Sequence, residues 1–408
     1  MAAEKVSVRC CVVGGGPAGI MLGLLLARAG VDVLVLEKHA DFLRDFRGDT
    51  IHPSTLEILH ELGLLEDFLK LPHQEVHQLV VQVGEVAVPI ADFSHLPTRC
   101  KFIAFLPQWD FLNFLAERGA SYPSFGLRMR AEVVGLFEEA GRVTGVEVAT
   151  PEGRLDVRAK LVVAADGRHS VVRGKANLPI ETLGAPMDVL WFRISRRPDD
   201  PAVGLGRFQV GRLFVILNRG DYWQCGFIIA KGTFDAIQRA GLPAFRDSVA
   251  ALVPFAADRV ADIRSWDDVK LLTVLVDRLT TWYRAGLLCI GDAAHAMSPV
   301  GGVGINLAIQ DAVAAANLLA EPLGRGSVTD DDLRCVQRRR APATRVVQRF
   351  QVLFQNRVVA PILNSRARTL TVPSALRLFV RFPWLRRIPA RIVGIGLRPE
   401  HVKTAPRR

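Results

Sequence analysis

"CCVVGGGPAGIMLGLLLARAGVDVLVLE", Cys10 to Glu37, decides how the chain begins to fold. An apolar, β-rich run ends in glycines. A helical segment follows and is stopped by Gly30, and a second strand runs from Val31 to Glu37. Gly14, Gly16 and Gly19 stand at G-x-G-x-x-G spacing on the strand-to-helix turn. The first permits the tight turn. The second lets a pyrophosphate approach the backbone at the helix N-terminus. The third allows the helix to pack closely on the strand. Glu37 ends the second strand, where a carboxylate holds a ribose 2′-OH and repels a 2′-phosphate. The stretch therefore reads as a dinucleotide site suited to FAD or NAD, and by itself it does not choose between them.

A second stretch makes the choice. "GLLCIGDAAHAMSPVGGVGINLAIQDA", Gly286 to Ala312, is a buried strand, an aspartate, a glycine loop and then an apolar helix from about Ile305. Asp292 at the strand end can accept hydrogen bonds from ribityl hydroxyls. The N–H groups that open the helix can donate to a ring carbonyl that grows more anionic on reduction. NAD has no polyol chain and needs no such site. One extended cofactor with two anchors, FAD, accounts for both stretches.

The 408 residues suffice for two or three domains, and half of them are apolar. The formal charge of +11 favours anionic partners such as nucleotide cofactors, acidic membranes or nucleic acid. Six cysteines show neither zinc spacing nor a C-x-x-C pair, and all six read as buried reduced thiols of a cytoplasmic protein. No signal peptide is visible, and no apolar run reaches the ~20 residues that span a bilayer.

Strand and helix alternate at the start, short strands appear from Val76 to Ile90, and strands dominate from Pro186 to Ile229. The expected architecture is α/β. A Rossmann-type cofactor domain fills 1–178 and returns at 279–330. A mixed β-sheet substrate domain is inserted at 179–278, and a helical, basic region fills 331–408. Gly204-x-Gly206 and Gly394-x-Gly396 lack the third glycine and the strand-to-helix setting, so no second nucleotide fold is expected.

The two stretches, with "VVAADGRHSVVR" (Val162–Arg173) between them, resemble the class A flavoprotein monooxygenases, the family of para-hydroxybenzoate and ubiquinone-pathway hydroxylases. The resemblance implies that Gly14, Gly16, Gly19 and Glu37 hold the ADP half of FAD. It implies that Arg47 and Gln108 contact the cofactor. Asp166 and Gly167 form the family's Asp-Gly pair, and Arg173 lines a nicotinamide approach. Asp292 binds the ribityl chain, and Gly304, Ile305 and Asn306 offer backbone N–H groups to the ring. Pro299 places its carbonyl beside the flavin and, with Asp49, is the candidate at the reacting edge. Asp49 and His52 fit either a flavin-edge contact or a turn and helix cap. His295 receives no chemical task and reads as structural.

The implied activity is an FAD-dependent hydroxylation that consumes NADPH or NADH and molecular oxygen and runs through a flavin hydroperoxide. Without a clear carboxylate clamp, the substrate leans toward a lipophilic phenol or quinone-like aromatic; nucleic acid is not an expected partner. Trp191, Phe192, Phe208, Phe214, Trp223 and Phe227 form a stripe that reads as core more than as cavity lining. A reductase or halogenase of the same fold is the alternative, and a non-enzymatic Rab-escort-like protein fits the Asp292 loop poorly. After Asn364 the chain carries many arginines and one acid, Glu400. This tail is expected to dock on the cofactor domain, with at most weak, salt-sensitive contact with anionic membranes.

Overall fold

The computed structural model describes residues 4–43, 50–84, 86–201, 205–365 and 374–407. Five strands run parallel in one sheet, in the spatial order Phe125–Arg128, Val33–Leu36, Glu4–Val13, Gly153–Ala164, Leu287–Cys289. Helices Pro17–Arg28, Gln108–Ala120 and Gly304–Arg325 pack with these strands in the largest apolar core. Strands covered on both faces must be apolar on both sides, which is why Cys10–Val13 and Leu161–Ala164 are unbroken apolar runs with almost no exposure.

Parallel strands present their carboxyl ends along one edge. Val13 sits opposite both Leu36 and Ala164, and Ala164 sits opposite Cys289. The residues just beyond those ends are Gly14, Glu37, Asp166 and Asp292. Four stretches far apart in the chain are thus brought to one crevice, at the point where strand order reverses and α/β sheets bind ligands.

The second sheet has seven strands among the described residues. The last two strands at one edge are Gln78–Val83 and Val86–Asp92, from within the first 178 residues. The expected boundary at 178 therefore does not separate the two sheets. Gln78–Val83 pairs in parallel with Leu205–Gln209 and covers an edge that would otherwise expose unpaired backbone groups. Periodicity reveals such a strand but not its partner.

One face of this sheet packs Phe192, Phe214, Trp223 and Phe227 against Phe245, Val249 and Leu252 of helix Leu242–Leu252. Those aromatics are core, as expected. Trp191 and Phe208 belong to other packing groups, with Val189 and with Met187 and Leu213 respectively.

Helix Asp330–Phe354 opens on a capping box formed by Thr329 and Asp332, then passes through a π-helical turn, Gln355–Val359, into Ala360–Leu363. Short helices Ser374–Arg381 and Arg387–Gly394 follow, and the last residues dock on the cofactor domain. Arg407 N–H donates to the Arg28 carbonyl at 2.9 Å, and Val402 N–H donates to Glu61 at 2.7 Å. One thiol departs from expectation: Cys335 is exposed, because Leu333 and Val336 take the buried positions of its helical turn. The helical stretch Val300–Arg325 is long and apolar enough to cross a membrane, contrary to the reading of the sequence, and 72% of its apolar window is buried in the protein.

Candidate active site

The glycine turn is shaped by sterics that side chains could not meet. Gly14 has φ +104°, and a Cβ there would stand 2.5 Å from the Ala165 carbonyl oxygen. A Cβ on Gly19 would run into the Gly14 carbonyl. At Gly16 the reason differs: a Cβ would meet no protein atom within 4 Å. The space in front of this helix start is open, as a cradle for a pyrophosphate must be. Glu37 is buried; its Oε2 accepts from Gly15 N–H at 2.9 Å and its Oε1 from His39 N–H at 3.0 Å. Through these two bonds the carboxylate holds the turn.

Across the crevice, Asp166 is half-buried. Burial pushes its carboxyl above the usual range against hydrogen bonds from Ser170 and the amides of Val171 and Val172. Its Oδ1 has no partner within the protein. Asp292 is 28% exposed and accepts from Arg168 Nη2 at 3.2 Å. Arg168 was not singled out from sequence. Its place directly after the Asp166–Gly167 pair was the available signal, since only a neighbour of that turn can bridge to the Asp292 loop.

Pro299 leads into a turn in which Gly301 and Gly302 take φ +82° and +62°. Helix Gly304–Arg325 starts immediately after. The N–H groups of its first turn have no acceptor within the helix and can donate to a ligand. Asn306 is buried. Its Oδ1 accepts from His52 N–H at 3.0 Å and from Thr55 Oγ1 at 2.7 Å, so its side chain ties the helix start to helix Pro53–Glu61. Thr50 Oγ1 donates to the Gly302 carbonyl at 3.0 Å.

His52 lies in the same junction and is fully buried. Its Nδ1 donates to the Val393 carbonyl at 2.7 Å, and its Nε2 has no protein partner. Burial lowers the imidazole to about 4, so the ring is neutral and presents a bare acceptor. Gln108 opens helix Gln108–Ala120 and is half-buried. Arg47 and Asp49 lie outside the described residues.

Behind the Asp292 loop runs a buried ionic chain. His295 Nε2 meets Asp311 Oδ2 at 2.5 Å, Arg340 Nε donates to Asp311 Oδ1 at 2.9 Å, and Arg340 Nη1 reaches Glu400 at 3.3 Å. Burial would raise the Asp311 carboxyl, but His295 and Arg340 outweigh it and hold it below the usual range. Asp311 Oδ2 also accepts from Gly291 N–H at 3.0 Å, which fixes the residue before Asp292. His295, read from sequence as structural, is buried in this chain.

Residues 7–350 match the family described as FAD binding domain. The chain belongs to this family, the class A flavin monooxygenases. It is 35% identical to 6-methylpretetramide 4-monooxygenase of Streptomyces rimosus, over 96% of this chain and 93% of that one. It is 30% identical to rifampicin monooxygenase of Streptomyces venezuelae over 74% of its own length, and spans 61% of that longer protein. Its fold superposes on p-nitrophenol 4-monooxygenase PnpA from Pseudomonas putida DLL-E4 with a TM-score of 0.75, at 21% identity, covering 95% of this chain and 94% of that one. As a member of the family it is an FAD-dependent monooxygenase of aromatic compounds.

The residues present fit FAD. The open space over Gly16 and the partnerless Asp166 Oδ1 are the features a bound cofactor would fill and satisfy. Arg173, expected to line a nicotinamide approach, is turned inward and buried, where it donates to Asp277 at 3.2 and 3.3 Å and to the carbonyls of Arg168 and Ala293. It braces the Asp-Gly loop against the strand Asp277–Leu279. A guanidinium so far from water needs a carboxylate, and Asp277, 104 residues away, was not visible as that partner.

Proposed function

We propose that this enzyme hydroxylates a lipophilic, polycyclic phenol or quinone-like aromatic, with NADPH or NADH visiting as transient reductant. The observation that carries the substrate class is the apolar cluster that packs on the glycine loop. Met187 and Leu213 of the seven-stranded sheet cluster with Val300 of the loop, and Phe208 and Ile228 pack against them. The 35% identical relative, named for 4-monooxygenation of 6-methylpretetramide, agrees with such a cluster.

Bound FAD supplies the electron transfer and oxygen activation. The chain supplies placement. Glu37 and the Gly14–Gly19 turn take the ADP end, while Asp166, Asp292 and the first-turn amides at Gly304, Ile305 and Asn306 take the flavin end. Pro299 and Asp49 stand as candidates for the reacting edge. The apolar cluster excludes water from the reaction. We assign 1–178 and 279–330 to holding the cofactor, and 179–278 with the hairpin 78–92 to the substrate side. The region 331–408 supports both.

The tail exposes Trp384 and Ile388, 60% and 53% accessible, beside Arg381 and Arg387. This mixture supports weak, salt-sensitive contact between a cytoplasmic enzyme and anionic lipid. The activity is tested by supplying a panel of polycyclic phenols with NADPH and heavy-isotope oxygen gas. One heavy oxygen atom in the product is expected. A reduced or chlorinated product without that label would overturn the reading.

A further inference from the structure

Glu400 is the one acid after Asp332, in a stretch rich in arginine. It lies beyond the last helix, yet it is buried, and a buried carboxylate is costly unless charged partners surround it. Its Oε1 accepts from Arg339 Nε at 2.7 Å and from Arg340 Nη1 at 3.3 Å. Its N–H donates to Oε1 of Gln310, the residue before Asp311. The tail therefore grips helix Gly304–Arg325 at the turn that carries Asp311.

Asp311 divides its oxygens between two tasks. Oδ1 accepts from Arg340 Nε at 2.9 Å. Oδ2 accepts from Gly291 N–H at 3.0 Å and meets His295 Nε2 at 2.5 Å. The division depends on how the guanidinium is turned. Arg340 Nη1 also donates to the Arg398 carbonyl at 3.0 Å, so the tail holds that end of the fork. A guanidinium released from such bonds takes a carboxylate side-on, through two parallel N–H···O bonds. Arg340 would then claim Oδ2 as well, and Gly291 would lose its acceptor.

Gly291 sits where that acceptor matters. Its backbone is left-handed, with φ +59°, and a Cβ on it would stand 3.2 Å from Ala18 Cβ and 3.3 Å from Ala308 Cβ. The helices that follow the two anchors, Pro17–Arg28 and Gly304–Arg325, thus close on this one residue. Asp292 is the next in the chain.

We infer that Glu400 is a positioning residue for the flavin end of the cofactor site: through Arg340 and Asp311 it holds Gly291, and so aims Asp292. This rests on the reading of Asp292 as flavin anchor and adds that the tail sets its aim.

The test uses the full-length, FAD-loaded protein. The dissociation constant of FAD is read from the fluorescence of flavin released on dilution, and that of ADP from its displacement of bound flavin. Glu400→Gln removes the charge and keeps the shape; Glu400→Ala removes the contact as well. Both should weaken FAD by about 2- to 30-fold, alanine the more, with the constant for ADP unchanged. In an Asp292→Ala background the same substitutions should have no further effect, because the group they aim is gone. A merely structural Glu400 would weaken FAD and ADP alike, or weaken FAD equally with and without Asp292; either result overturns the inference. So does unchanged FAD binding in a folded Glu400 variant while Asp292→Ala still weakens it. If Glu400→Ala does not fold, Glu400→Gln decides by the same criteria. If Asp292→Ala leaves FAD binding unaltered, the flavin-anchor reading itself fails and takes the inference with it.

Discussion

His52 is a place where burial makes stability depend on pH below neutrality. The folded protein keeps its imidazole neutral down to about pH 4, whereas the unfolded chain protonates it near 6.5. Between those values the unfolded state binds a proton that the folded state does not, so stability falls as pH falls. The full effect, 2.5 pH units at ~1.4 kcal/mol each, is about 3 kcal/mol, of which about 2 kcal/mol is reached by pH 5. Above pH 6.5 both states are neutral and the effect vanishes. His52→Asn keeps a good residue at the start of helix Pro53–Glu61 and removes the titration. Urea unfolding of the apoprotein, followed by tryptophan fluorescence at pH 7 and pH 5, compares wild type and variant so that other groups cancel. The variant should be the less stable protein at pH 7, having lost the bond to Val393, and the gap should close by about 2 kcal/mol at pH 5. A gap that does not change with pH would refute the account of a neutral, buried His52.

Gly16→Val should fill the open space before the helix and yield a folded, colourless protein; full flavin in the purified variant would show that the cradle is not there. Arg173→Ala should strand Asp277 and lower stability by about 3–5 kcal/mol, with the Michaelis constant for NADPH unchanged at low temperature. A raised NADPH constant in a protein of normal melting temperature would return Arg173 to the nicotinamide path.

The cofactor crevice was legible because its signals are local. A glycine that must turn, or must leave room for a phosphate, is marked by its own position, and so is an acid at a strand end. Parallel strand order then follows from βαβ alternation. What escaped depends on partners distant in the chain. The Asp277 that claims Arg173 is one case, and the Leu205–Gln209 edge that recruits the 78–92 hairpin is another. Glu400 shows the middle case. As the one acid in a basic tail it was conspicuous, and the structure gives it Arg339 at 2.7 Å and Arg340. Sequence alone could not show that this contact joins the tail to Asp311 and so to the flavin loop.

If one FAD spans two anchors, the fingerprint turn and the Asp292 loop, each must contribute to holding it. Calorimetric titration of the apoprotein with FAD and, separately, with ADP, for wild type and Asp292→Ala, tests it most directly. Loss of a charged acceptor is worth about 1.5–3 kcal/mol, so FAD should bind roughly 10- to 150-fold more weakly while the constant for ADP stays the same. Unchanged FAD binding, or an equal loss for ADP, would contradict the two-anchor account.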